Sequence, residues 1–143
     1  MSEQRKPPVI PTDMKAFNQG VIAEHRANAG KLSGPMAGST VLLLTTTGAR
    51  SGQPRTTVTG YGRAGDRFVI IASNNGAPSH PFWYRNLLAN PAATVEVGPE
   101  KFEVRASTAR PDEREELAKV VPYLERQQKL TDREIPLVIL ERV

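Results

Sequence analysis

Val41-Leu42-Leu43-Leu44-Thr45-Thr46-Thr47 runs into the turn Gly48-Ala49-Arg50-Ser51-Gly52-Gln53-Pro54, then into Arg55-Thr56-Thr57-Val58-Thr59-Gly60-Tyr61-Gly62, and later into Asp66-Arg67-Phe68-Val69-Ile70-Ile71-Ala72-Ser73. Three β-type runs in succession decide the fold class. The continuous apolar run Val41 to Leu44, flanked by hydroxyls, predicts a buried strand over residues 39–47. The threonine-rich run predicts a second strand from Arg55 to Gly62, because branched side chains suit a pleated surface. Asp66 to Ser73 is the third, and Arg63-Ala64-Gly65-Asp66 is a hairpin turn between the second and third.

Working outward, Ala93 to Val97 and Phe102 to Ser107 alternate apolar and polar residues around Gly98-Pro99-Glu100-Lys101, a second hairpin, and Pro136 to Glu141 is a last strand. Towards the N-terminus, Met14, Phe17, Val21 and Ile22 recur at helical spacing until Gly30 stops the pattern, with Thr12 as N-cap and Asp13 in the first turn. His25 is placed on the polar side of this helix, without a role. Pro81 suits the first turn of a second helix, which Asn90-Pro91 ends. Pro111 opens a third, with Asp112, Glu113, Glu115 and Glu116 complementing its dipole, and Pro122 kinks or restarts it. Six strands with few strand–helix–strand alternations argue for an α+β, mainly β, antiparallel barrel or sheet with helices alongside.

The 143 residues suit one domain with a real core, and 38% hydrophobic with 24% charged residues is the composition of a soluble globular protein. With no cysteine, disulfides, thiolate nucleophiles and cysteine-held metals are excluded, and a cytoplasmic place is compatible. Two distant histidines make no metal site. The longest apolar stretch is too short to span a bilayer, although the first helix could lean on the inner face of the membrane as a peripheral contact. Net charge is +4, but between Glu24 and Glu96 the sole acid is Asp66, against seven Lys and Arg residues. Such a carboxylate-poor half attracts anions, and its basic density is low for a nucleic-acid partner.

Two segments could carry chemistry. In Gly48 to Arg55 the glycines let the backbone bend, Arg50 and Arg55 offer planar forks of donors, and Ser51, Thr56 and Thr57 add hydroxyls, which together suit a phosphate. The bland alternative is a hairpin turn with solvated arginines. No Gly-Lys-Ser/Thr and no Gly-x-Gly-x-x-Gly is present, so neither a P-loop nor a dinucleotide fingerprint applies. The second segment is Ala72-Ser73-Asn74-Asn75-Gly76-Ala77-Pro78-Ser79-His80, which lets a flat ring lie against backbone before a helix carrying the only Trp, Trp83, with Tyr84, Asn86 and Leu87. Ordinary loop chemistry explains it equally. His80 before a proline reads as a capping or packing residue rather than a base.

Taken jointly, Thr-Thr-Thr-Gly-Ala-Arg-Ser-Gly-Gln-Pro-Arg (45–55), Ala-Ser-Asn-Asn-Gly-Ala-Pro-Ser-His-Pro-Phe-Trp-Tyr-Arg-Asn-Leu (72–87), Asn90-Pro91 and Arg133-Glu134-Ile135-Pro136 resemble the deazaflavin (coenzyme F420)-dependent nitroreductase family of the split β-barrel flavin-binding superfamily, from Val41 to Val143. The resemblance implies an antiparallel split β-barrel with flanking helices, residues 39–143 forming the cofactor-binding domain behind an arm and helix at 1–38. It implies that Arg50, Ser51, Gly52, Arg55 and Thr57, with Thr56 beside them, hold the cofactor phosphate. Ala72, Ser73, Asn74, Gly76 and Ala77 line the deazaflavin, with Pro78 and His80 in the same loop, and Trp83 and Asn86 close the far side. Arg5, Lys6, Lys31 and Arg63 are candidates to meet the polyglutamate tail.

The implied chemistry is hydride transfer from reduced F420 to a quinone, nitroaromatic or related acceptor, with Ser73 and Tyr123 donating to the acceptor. The alternatives are a non-catalytic deazaflavin or flavin carrier and a protein using FMN. The sequence departs from the family pattern at Asn74-Asn75, where many relatives have Lys-Gly, at Val58 in place of a frequent proline, and at Arg126, where several have a second tyrosine. Neither the native acceptor nor the oligomeric state is legible at this level.

Overall fold

The computed structural model describes residues 14–143. Thr12, Asp13, Arg5 and Lys6 lie outside the described residues. Among the described residues seven strands form one antiparallel sheet: β1 (Val41–Thr47), β2 (Pro54–Gly60), β3 (Gly62–Ala64), β4 (Arg67–Ile71), β5 (Ala92–Val97), β6 (Glu100–Thr108) and β7 (Leu137–Arg142). Their order is β2-β1-β5-β6-β7-β4-β3. The two strands at opposite ends of that order, β2 and β3, are joined by one residue, Tyr61. A sheet whose edges are so tethered must curl back on itself, which is the split-barrel geometry.

The single threonine-rich strand expected from Arg55 to Gly62 is therefore two strands, and the count is seven rather than six. β2 pairs with β1, Thr57 opposite Leu44, whereas β3 pairs with β4, Ala64 opposite Arg67. The change of partner at Tyr61 breaks the strand, and composition does not mark it. Gly62 is required there: a Cβ at this position would overlap the backbone carbonyl of Val120.

Period-two alternation distributes the core. Leu42, Leu44, Phe68, Ile70, Val95, Val104, Val138 and Leu140 fill the barrel interior together with Trp83, Tyr84 and Leu87. The alternate residues Val69, Ile71, Leu137 and Ile139 pack outside it against Leu117, Val121, Leu124 and Ile135. Both faces of β4 and β7 are covered, which is why these strands read as unbroken apolar runs.

Among the described residues four α-helices flank the sheet: α1 (Met14–Ala27), α2 (Phe82–Ala89), α3 (Pro111–Ala118) and α4 (Leu124–Gln128). Pro122 separates α3 from α4, as its missing N–H demands. The placement of His25 on the polar side of α1 is corrected: it is 1% exposed, one turn beyond the buried Val21. Burial holds its imidazole below the usual histidine range, opposed in part by Glu96, and its Nε2 has no partner. Beside it Arg26 grips Glu96 with both ends of its fork, Nε to Oε1 at 3.0 Å and Nη2 to Oε2 at 2.8 Å, fastening α1 to β5.

Candidate functional site

Two cavities of about 960 and 940 Å3 meet at Asn18, Thr57 and Phe82 and form one groove beside β2. Either compartment is large enough for a drug-sized ligand. In the first, Pro54, Arg55, Thr56 and Thr57 of β2 face Gln19, Ile22 and Arg26 of α1. The second runs along Val58 to Tyr61, past Ser73 and Asn74 and the start of α2 at Pro81 to Trp83, to Tyr123, Arg126 and Gln127.

The first compartment has an anion's chemistry. Arg26 is neutralised by Glu96, but Arg55 has no carboxylate among the described residues; its Nη1 reaches only the Pro54 carbonyl, at 3.5 Å. Thr56 bonds Thr45 across the β1–β2 ladder through their hydroxyls at 2.8 Å. The turn itself spends most of its donors internally. The N–H of Gly48 donates to Gln53 O, that of Gly52 to Gly48 O, and that of Gln53 to Ser51 Oγ. Gly52 takes φ +70°, which suits glycine. Arg50, Ser51 and Gly52 are exposed and outside the cavity lining, so among the described residues the unpaired cation of the first compartment is Arg55.

In the second compartment Trp83 is 6% exposed yet still forms part of the wall. Tyr123 Oη and Gln127 Oε1 are buried there without a hydrogen-bond partner. Tyr123 precedes α4 and Gln127 lies one turn on, so the two share a face. Burial pushes the Tyr123 phenol up to about 12, so it stays protonated as a donor. An orphaned buried polar atom is costly, and two of them on residues that line one cavity mark a wall where a ligand would supply the missing partner.

The loop at 72–80 is shaped by a residue to which sequence reasoning gave no role. Arg133 donates from Nη1 to Ala72 O at 3.1 Å, from Nη2 to Ser73 O at 2.6 Å and from Nε to Ala77 O at 2.9 Å. Its Nη1 also meets His80 Nδ1 at 2.9 Å. Burial, then the charges of Arg133 and Arg85, hold the His80 imidazole below its ordinary range, so Nδ1 accepts from the guanidinium. His80 is thus a packing residue, its ring edge-on to Tyr84 at 5.0 Å. Gln128 supports the same arrangement, donating to Arg133 O at 2.7 Å and accepting from Ile135 N–H at 2.9 Å. The occurrence of Arg133 within a recognised motif was the available signal. Asn74, at φ +50°, is a residue type that tolerates the left-handed region, and its Nδ2 donates to Ser79 O.

Several expected residues lie elsewhere. Asn86 is 6% exposed and outside the groove lining: its Oδ1 accepts from Ala49 N–H at 2.9 Å and its Nδ2 donates to Thr46 Oγ1 at 3.0 Å, bracing the Gly48 turn from α2. Gly76 and Pro78 line a separate depression with Leu130 and Arg133, and Ala72 is fully buried. Arg63 stacks on Phe68, 4.3 Å from the ring centroid, in a further depression with Arg67 and Arg142. Among the described residues no helix is long and apolar enough to cross a membrane.

A family model described as F420H(2)-dependent quinone reductase matches residues 19–142. The chain belongs to the F420H(2)-dependent quinone reductase family. An F420H(2)-dependent quinone reductase of Mycobacterium tuberculosis is 40% identical over 129 residues, covering 84% of this chain and 86% of the relative. Among solved structures, an F420-H2 dependent reductase (FDR-A) is 34% identical, with TM-score 0.65 over 71% of this chain and 94% of that one. Another, described as a domain-swapped dimer, is 30% identical, with TM-score 0.68 over 90% and 100%. The split-barrel fold expected from the sequence resemblance is the fold this chain shares with that F420-H2 dependent reductase.

Proposed function

We propose that the groove binds F420 and reduces a quinone or nitroaromatic acceptor. Membership of the F420H(2)-dependent quinone reductase family makes F420 the cofactor. The donor set fits it. Arg55, Thr56 and Thr57 would hold the phosphate, Ser73, Asn74 and Trp83 would flank the ring, and the carboxylate-poor surroundings suit an anionic tether. When bound and reduced, F420 supplies the hydride. The protein's part is to orient the reactants, keep water out and place hydrogen-bond donors.

The observation that carries this reading is the buried, partnerless Tyr123 hydroxyl in a cavity shared with Ser73 and Trp83. A donor already desolvated and fixed is worth most where negative charge develops on an acceptor oxygen, and it costs no reorganisation there. Tyr123→Phe is expected to lower kcat/KM for a naphthoquinone by about tenfold to hundredfold, the range for loss of one such donor. The contribution should hold steady from neutral pH to about pH 11, because the raised phenol pKa keeps the proton in place. Anaerobic turnover of reduced F420, followed by the return of the deazaflavin absorbance in wild type and variant, checks both points. Equal rates at every pH would remove Tyr123 from the acceptor site.

A further inference from the structure

Arg126 is the only formally charged residue lining the second compartment, and no aspartate or glutamate lines it among the described residues. It is exposed at the rim, and among the described residues it is paired with no carboxylate. The other groove arginine near α1, Arg26, is by contrast closed off by Glu96. Deeper in the same compartment lie the two partnerless polar ends, Tyr123 Oη and Gln127 Oε1, three residues before and one after Arg126.

We propose that Arg126 selects the acceptor: the compartment takes a planar carbonyl compound bearing an anionic substituent, with the carbonyl oxygen towards Tyr123 and the anion towards Arg126. This rests on the reading that the second compartment receives the acceptor. A neutral quinone uses the Tyr123 donor but leaves the guanidinium to solvent. A carboxylate- or sulfonate-bearing quinone uses both. Since Arg126 is exposed, water and salt screen its attraction, and the gain is a modest preference that weakens as ionic strength rises.

The test uses the protein saturated with oxidised F420, whose phosphate would lie at Arg55 and whose ring at Ser73 and Trp83, and which transfers nothing to a quinone. Calorimetric titration with 1,4-naphthoquinone and with 1,4-naphthoquinone-2-sulfonate gives a ratio of dissociation constants for wild type, Arg126→Gln, Arg126→Lys and Lys129→Gln, the last removing an exposed cation outside the compartment. Wild type is expected to favour the sulfonate about fivefold, the scale of an exposed ion contact. Arg126→Gln should bring the ratio close to one, Arg126→Lys should keep part of it, and Lys129→Gln should leave it. A wild-type ratio of one, or a preference that survives Arg126→Gln, overturns the assignment. Binding of the neutral quinone alone would leave the acceptor compartment standing and remove only the role of Arg126. If neither quinone binds the loaded protein, the acceptor reading fails and this inference fails with it.

Discussion

Arg133→Ala is expected to lower stability by about 3 kcal/mol and to weaken F420 binding more than tenfold, because several acceptors lose a charged donor at once. The guanidinium holds Ala72 O, Ser73 O and Ala77 O and meets His80 Nδ1. These groups lie in a part-buried loop, where an unmet carbonyl costs more than a met one gains. The loop joins β4 to α2 and passes through the left-handed region at Asn74 and Gly76, so it has little regular hydrogen bonding of its own. Arg133→Lys should rescue little, since one ammonium cannot reproduce a planar fork that reaches four acceptors. Thermal unfolding with and without F420 checks this: a drop of roughly 10 °C is expected in both variants. A melting point within about 2 °C of wild type would show that the loop holds its shape without the clamp.

The second large effect lies across the groove. In Gly62→Ala the new methyl group meets the Val120 carbonyl carbon and oxygen. Backbone cannot swing aside as a side-chain tip does. Val120 is further fixed by donating its N–H to Leu117 O at 3.2 Å, while Val121 donates to Ala118 O at 3.1 Å. The segment between α3 and α4 must then lift from the barrel, at a cost of about 3 kcal/mol for overpacking without room to relax. Tyr123 lies three residues on and borders Gly60, so the displacement reaches the second compartment. The expected pattern is a lowered melting temperature and a loss of quinone turnover larger than the loss of F420 affinity, since Arg55 and the loop at 72–80 are on other elements. Equal losses in turnover and affinity would mean that the barrel itself, rather than the α3–α4 segment, had given way.

The legible and illegible parts of this protein separate along physical lines. β1, β4 and β7 announce themselves because successive residues on both faces are buried and their apolar runs are unbroken. Turns with Gly65 and Gly98 are legible because both take positive φ. The break at Tyr61 is not, because it arises from an exchange of pairing partners, β1 for β2 and β4 for β3, that no local composition records. His25 is misplaced by polarity: an imidazole looks like surface, while its position one turn beyond Val21 puts it inside. In the site, the residue types of Arg55, Thr57, Ser73 and Trp83 suggest ligand chemistry, the family resemblance adds Tyr123, and all five border one groove. Asn86 and Arg133 show the opposite case. Their partners lie 37 to 61 residues away, so a bracing amide resembles a ligand contact and a clamp has no visible role. Family resemblance names positions, and only packing says which way each side chain points.

The chain has a single Trp, and it walls the compartment next to Ser73 and Tyr123. Fluorescence titration with oxidised F420 therefore tests the occupancy of the groove most directly. The account predicts saturable quenching of Trp83, weakened by Arg55→Gln and relieved when unlabelled phosphate-bearing F420 fragments compete. Full, unquenched Trp83 emission across the titration would contradict it.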